Sequence, residues 1–193
     1  MKTYRIHLIR HGLTQGNLDG RYVGSTDLPV TEQGISELHA LKAAHAYPPA
    51  ARCYSSPLSR CRQTLGILYG GVPVSVVDGL REWDFGEFEN RTPAELKDRG
   101  DYRLWIADSS NHAPPGGERA QAFFERVNRA FSETVYDVMK RGEPDAAVCT
   151  HGGVIMAALA MFGLPERGYF DWACGNGRGY TVRVTPSFFM RTA

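Results

Sequence analysis

The chain is poor in lysine and cysteine and has no long apolar run. Only Lys2, Lys42, Lys97 and Lys140 carry an ammonium group, although Lys and Arg together number 22 against 21 Asp and Glu in 193 residues, a net charge of +1. A near-neutral chain has no electrostatic reason to bind nucleic acid or an anionic membrane surface, and neither is expected as a partner. Most of the positive charge is therefore guanidinium, the group suited to bidentate contact with phosphate or carboxylate. The four cysteines, Cys53, Cys61, Cys149 and Cys174, form no CxxC pair and no zinc-ligand spacing. Cys53 and Cys149 fall in apolar runs and read as core residues, and reduced thiols fit the cytoplasm. No apolar stretch approaches the roughly 20 residues of a membrane span, and the first residues lack the apolar region of a signal peptide. The expectation is a soluble cytoplasmic protein with one domain over residues 1–193.

Several chemistries leave signatures that are missing. No lysine follows a glycine, so there is no P-loop of the GxxxxGK[ST] kind. No cysteine has an arginine six positions later, no DxD pair is present, and no GxSxG elbow marks a serine hydrolase. The segment "GNGRGY" at 175–180 lacks the third glycine of the dinucleotide pattern and reads as a turn. His7 and His11 are four apart, but they fall in a strand with no further ligand cluster, so no metal is assigned. His39, His45 and His112 have no partners in view.

What is present is an alternation of strands and helices. Strands are expected at 4–9, 51–55, 72–77, 145–150 and 179–185. Helices are expected at 31–47 with Thr31 as cap, from Ser56 to Tyr69 with Pro57 at the first position, at 118–141 and at 152–163. Residues 78–117 read as an irregular, charged excursion. The fold class is α/β, three-layer α/β/α with a mainly parallel sheet.

Three strands end in a polar motif and feed a helix: "YRIHLI" into "RHG", "ARCY" into "SSPLSR", and "AAVCT" into "HGG". Ligands of open α/β sheets bind at the carboxyl ends of the strands. Arg10, His11, Arg60 and His151 should therefore meet at one edge, with helix-start amides that favour an anion. Two arginines and two histidines suit a phosphoryl group, with a histidine as nucleophile, acid–base group or cationic clamp. A histidine nucleophile needs an acid for the leaving oxygen. Glu82, Asp84, Glu87 and Glu89 in "LREWDFGEFEN" all qualify, and spacing does not choose among them.

These motifs together resemble the histidine phosphatase superfamily, the phosphoglycerate-mutase-like group. "RHGLTQGN" fits R-H-G-x-T-x-x-N, and "YSSPLSRCRQT" fits S-S-P-L-x-R-x-x-x-T. "LREWDFGEFE" is similar to L-x-E-x-D-F-G-x-W-E, and "THGGVI" to S/T-H-G-G-x-I. The resemblance runs from Ile6 to Ile155. It implies that His11 attacks phosphorus to form a phosphohistidine, that Arg10, Arg60 and His151 surround the phosphoryl oxygens, and that Glu82 is the proton donor. Asn17 adds a hydrogen bond, and Thr14, Val23, Gly24 and Gly152 are expected on the phosphate or substrate side. No metal and no cofactor is implied.

Phe88 stands where this family often has tryptophan and Asn90 where it often has glycine; both are expected to act on the substrate side. Glu118, in "PPGGERAQ", is expected to start a helix or face the substrate. The family includes mutases as well as phosphatases. The short chain and its "PPGGE" segment point to a phosphomonoesterase of the alpha-ribazole phosphatase and broad-specificity branch, with alpha-ribazole 5′-phosphate as the leading substrate. The alternatives are a cofactor-dependent phosphoglycerate mutase, in which Arg91, Lys97, Arg99 or Arg103 would meet a second anion, and a fructose-2,6-bisphosphatase-like enzyme. A non-catalytic phosphate-binding module would be expected to lack His11, Glu82 or His151. Oligomeric state is not readable.

Overall fold

The computed structural model describes residues 2–186. The chain begins with strand β1 (Tyr4–Arg10), a one-turn helix α1 (Gln15–Leu18) and helix α2 (Glu32–Ala43). Strand β2 (Arg52–Ser55) leads to helix α3 (Ser59–Tyr69) and the short strand β3 (Val74–Val76). Two small helices follow, α4 (Pro93–Leu96) and α5 (Gly100–Ala107), then the long helix α6 (Ala120–Arg141). Strand β4 (Asp145–Thr150), helix α7 (Gly152–Phe162) and strand β5 (Gly179–Val184) complete the order.

The sheet order is β3-β2-β4-β1-β5. All pairings are parallel except that of β5 with β1, so the sheet is mainly parallel with one antiparallel edge. Period-two alternation assigns each strand residue to a face. Ile6, Leu8, Ala146 and Val148 pack with Phe123, Val127 and Val135 of α6 and with Ile155 and Leu159 of α7. Ile9, Cys53, Ala147 and Cys149 pack on the other face with Leu38 of α2 and with Cys61, Leu65 and Leu68 of α3. Each fully buried aliphatic side chain in these layers contributes about 1.5–3 kcal/mol. The result is the three-layer α/β/α architecture expected. Cys53 and Cys149 lie fully inside it, and His7 is buried in β1 with its Nδ1 bonded to Thr181 Oγ1 at 2.9 Å.

Besides shifts of one or two residues at the ends of β1, β2, β3, α7 and β5, four departures from expectation stand out. Thr31 does cap α2, its hydroxyl accepting from the Gly34 amide, but the helix stops at Ala43 instead of 47. His45 takes a left-handed φ of 54°, and Pro48 and Pro49 cannot continue a helix. Helix α3 starts at Ser59, two residues after Pro57; the Ser56 hydroxyl is bonded to a histidine at 2.8 Å and accepts from the Leu58 amide only at 3.4 Å. The carboxylate of Asp27 takes the Ser59 amide at 2.8 Å. Helix α6 starts two residues late, at Ala120. The fourth correction concerns the excursion. Residues 78–117 are not irregular throughout: α4 and α5 bury Phe88, Leu96, Tyr102 and Trp105 in an aromatic cluster of their own.

Two positions expected on the substrate side have structural roles instead. Phe88 is fully buried in that aromatic cluster. Asn90 holds a left-handed φ of 60°, the conformation for which glycine is the default and asparagine the next choice. Neither residue lines the cavity described below. Glu118 is bonded to Arg126 of α6 at 2.9 and 2.6 Å, and Arg126 also donates to the Gly79 and Arg81 carbonyls, which ties α6 to the start of the excursion.

Candidate active site

Strands β2, β4 and β1 are adjacent and parallel, so their carboxyl ends emerge at one edge. Arg10 is level with Thr150 in the register, and Ser55 with Cys149. The next residues of the three strands are His11, His151 and Ser56. The ladder runs one step further through the His11 amide to the Thr150 carbonyl at 2.9 Å and the Ser56 amide to the Cys149 carbonyl at 3.0 Å. The two imidazole rings consequently lie edge to face with centroids 5.2 Å apart.

His11 is held by its own neighbour. Its Nδ1 is 2.8 Å from the Gly12 carbonyl, so Nδ1 carries the proton and donates, leaving the Nε2 lone pair free for attack. A Cβ on Gly12 would lie 2.7 Å from the Leu38 side chain, which would have to shift to admit it. Burial first, then the charge of Arg60, pushes the His11 pKa down to about 3 against the opposing Gly12 hydrogen bond. The ring is neutral and nucleophilic over the whole physiological range.

Arg60 is fully buried, which is rare for a guanidinium and demands full pairing. Its Nη1 donates to the Thr26 carbonyl at 2.8 Å and its Nη2 to the Gly24 carbonyl at 2.9 Å. Its Nε donates to His151 Nδ1 at 3.3 Å. His151 must then carry its proton on Nε2, which is 2.8 Å from Ser56 Oγ. Burial, then Arg60, holds the His151 pKa well below the ordinary histidine value. In the free site His151 is a neutral acceptor that orients Arg60, and not the cationic clamp that is one of the roles open to it.

Arg10 donates from Nη1 to the Cys174 carbonyl at 2.7 Å. Its Nε is buried and has no partner among the described residues. An unpaired buried donor on a cation is costly, and an arriving anion relieves it. The Asn17 Oδ1 accepts from the Thr14 amide at 3.1 Å, the Thr14 hydroxyl at 3.0 Å and Asn176 Nδ2 at 3.0 Å. With the oxygen so engaged, the Asn17 Nδ2 is the end available to a ligand. Thr14 itself is the buried cap of α1. Gly152 opens α7 beside Arg10, and its helix N-terminus adds partial positive charge. Val23 packs on Gly16. Both polar groups of Gly24 are committed, the amide to Glu89 and the carbonyl to Arg60, so it serves the site through Arg60.

Geometry separates the four acids. Glu87 is exposed and paired with Arg99 at 2.8 Å. Asp84 accepts from the Gly86 amide at 2.9 Å, and Glu89 is engaged by loop amides. Glu82 lines the same cavity as Arg10 and Gly152. Its Oε2 accepts from the Gly153 amide at 3.0 Å, and a Cβ on Gly153 would meet Glu82 at 2.4 Å. Burial raises the Glu82 pKa, and the Gly153 and Trp83 amides oppose this. A carboxyl that holds its proton more tightly than an ordinary glutamic acid is suited to general-acid work.

The cavity above Arg10 and Glu82 has a volume of about 560 Å³. Its wall is aromatic: Tyr22, Trp83, Phe85, Trp105, Phe124 and Tyr169, with Phe170 at 80% exposure. Pattern reading missed this wall, because its members come from five separate stretches. It also missed Asn176, which lies in the "GNGRGY" turn and bonds both the His11 carbonyl (3.1 Å) and Asn17. The glycine pattern there marked a turn but not what the turn holds. No group of three or more His, Cys, Asp or Glu side chains able to hold a metal ion occurs among the described residues.

Comparison with known proteins gives a consistent result. The family model described as "Histidine phosphatase superfamily (branch 1)" matches residues 6–189. The chain is 36% identical over 189 residues to an adenosylcobalamin/alpha-ribazole phosphatase of Salmonella typhimurium, covering 95% of this chain and 92% of that one. It is 32% identical over 160 residues to a 2,3-bisphosphoglycerate-dependent phosphoglycerate mutase of Gloeobacter violaceus, covering 79% and 72%. Among solved structures, the alpha-ribazole phosphatase of Shigella flexneri superposes with a TM-score of 0.80 at 28% identity, covering 94% and 90%.

Proposed function

The chain belongs to the histidine phosphatase superfamily, and from that premise we propose that it hydrolyses alpha-ribazole 5′-phosphate through a phosphohistidine on His11. The observation that carries the substrate is the aromatic cavity of about 560 Å³ whose floor holds Arg10 and Glu82. A phosphoryl group seated on that floor projects its leaving group into a wall of rings, which suits a flat heteroaromatic nucleoside.

The reaction follows from the geometry. The Nε2 lone pair of His11 attacks phosphorus as the bond from phosphorus to the ribose 5′-oxygen breaks. Glu82 gives its proton to that oxygen, and the alcohol leaves. Water then attacks the phosphohistidine, Glu82 accepts the water proton, and the phosphorus–nitrogen bond breaks to return neutral His11. Arg10, Arg60, Asn17 and the start of α7 spread the charge on the phosphoryl oxygens, which is the main demand of phosphoryl transfer.

A mutase would need ligands for a second anionic group. Arg10 is the only basic residue among those lining the cavity. Arg91, Lys97 and Arg103 are exposed and do not line it, and Arg99 is paired with Asp101 and Glu87. The same argument weighs against a sugar bisphosphate. The test is parallel assay of alpha-ribazole 5′-phosphate, fructose 2,6-bisphosphate, and 3-phosphoglycerate with 2,3-bisphosphoglycerate. Phosphate release with the highest kcat/KM on the ribazole ester is expected. Isomerisation of phosphoglycerate without release, or a preference for either aliphatic substrate, overturns the reading.

A further inference from the structure

Glu89 is more densely bonded than any role so far explains. Five donors converge on its carboxylate: the amides of Gly24, Ser25, Thr26 and Phe85 and the hydroxyl of Thr26, at 2.7 to 3.3 Å. Three of those amides belong to consecutive residues of the loop after Val23. Turning their N–H groups inward onto one carboxylate sends the carbonyls of Gly24 and Thr26 the other way, and these are the two that accept from Arg60 Nη2 and Nη1. Gly24 admits no side chain, because a Cβ would lie 1.7 Å from the Trp83 carbonyl. Asn90 adds a bond from its Nδ2 to Thr26 Oγ1 at 3.1 Å.

We propose that Glu89 is a positioning residue: its carboxylate shapes the Gly24–Ser25–Thr26 loop so that two backbone carbonyls aim the buried Arg60 guanidinium at the phosphoryl oxygens. Without it, three amides lose their common acceptor and the loop carbonyls are free to turn away. Arg60 then keeps only His151 as a fixed partner in a site where it has no solvent to fall back on. This inference rests on the reading of Arg60 as a phosphoryl ligand.

The experiment is a double-mutant cycle on orthovanadate affinity in the full chain, with Glu89→Ala, Arg60→Ala and the pair. Glu89→Ala alone is expected to weaken vanadate binding at least tenfold, while binding of dephosphorylated alpha-ribazole in the aromatic cavity stays within twofold. In the Arg60→Ala background the same change is expected to have less than a twofold effect. Glu89→Gln, which keeps one acceptor oxygen, should restore part of the affinity. Equal losses in both backgrounds overturn the proposal, as does an equal loss of ribazole and vanadate binding, which marks a merely structural role. If Arg60→Ala alone leaves vanadate affinity unchanged, it is the phosphoryl-clamp reading that fails.

Discussion

Replacing Glu82 by Gln removes a proton and little else in shape, so it isolates the acid. General acid–base catalysis contributes about 10²–10⁴-fold, or about 2.7–5.4 kcal/mol at 1.36 kcal/mol per factor of ten. The full amount is expected only where the leaving oxygen is a poor one, as in an alkyl ester such as a ribosyl 5′-phosphate. The p-nitrophenolate ion departs without a proton and should not need the acid. A second, smaller effect acts on both substrates. Both Glu82 oxygens accept backbone amides, from Gly153 and Trp83, and Gln offers only one oxygen. Losing one such bond costs about 1 kcal/mol, about fivefold. The expected result is a loss of 10²-fold or more in kcat on alpha-ribazole 5′-phosphate and less than tenfold on p-nitrophenyl phosphate, read by phosphate and nitrophenol release. Equal losses on the two substrates would move the acid elsewhere and sink the assignment.

The pH profile gives an independent check of the same step. Because the Glu82 pKa is raised, the protonated acid survives to higher pH than an ordinary glutamic acid, and transfer is lost as pH rises through that raised value. His11, pushed down to about 3, stays neutral above that point, so its titration does not set a limb near neutrality. The alkaline limb of kcat on the ribosyl ester should flatten in Glu82→Gln. A limb that persists unchanged would belong to another group.

His11→Ala should abolish turnover and the acid-labile phosphoenzyme trapped by rapid quench, with the circular dichroism spectrum unchanged; residual labelling would place the nucleophile elsewhere. Activity should be the same after exhaustive chelation, and loss that added metal restores would call for a metallophosphatase mechanism. Phe170→Ala removes a ring that is 80% exposed at the cavity mouth. It should leave stability within about 0.5 kcal/mol, since surface changes seldom cost more, and raise KM for the ribazole ester severalfold relative to p-nitrophenyl phosphate. An unchanged KM ratio would remove Phe170 from recognition.

What could be read in advance divides along a physical line. The elements and their order were legible because hydrophobic period and capping chemistry are local. Thr31 is the cap it was expected to be, and β4 matches its expected span residue for residue. The meeting of Arg10, His11, Arg60 and His151 was legible because parallel strands deliver their ends to one edge whatever the strand order. At the start of α3 expectation failed because distant groups compete with local ones: Asp27 takes the Ser59 amide, and Ser56 bonds His151 more closely than the Leu58 amide. Much of the support around the reacting groups consists of backbone carbonyls: Gly12 for His11, Cys174 for Arg10, Gly24 and Thr26 for Arg60. Every residue supplies a carbonyl, so side-chain identity at those positions carries no trace of the role. The exception is Gly24, where the close approach of the Trp83 carbonyl excludes a Cβ and leaves glycine as the visible sign. Asn176 shows the remaining limit. Its chemistry is in its side chain, yet the two groups it joins to the turn, the His11 carbonyl and Asn17, are 165 and 159 residues away. The antiparallel return of β5 along β1 brings that turn to the site, and alternation along the chain does not encode the direction of an edge strand.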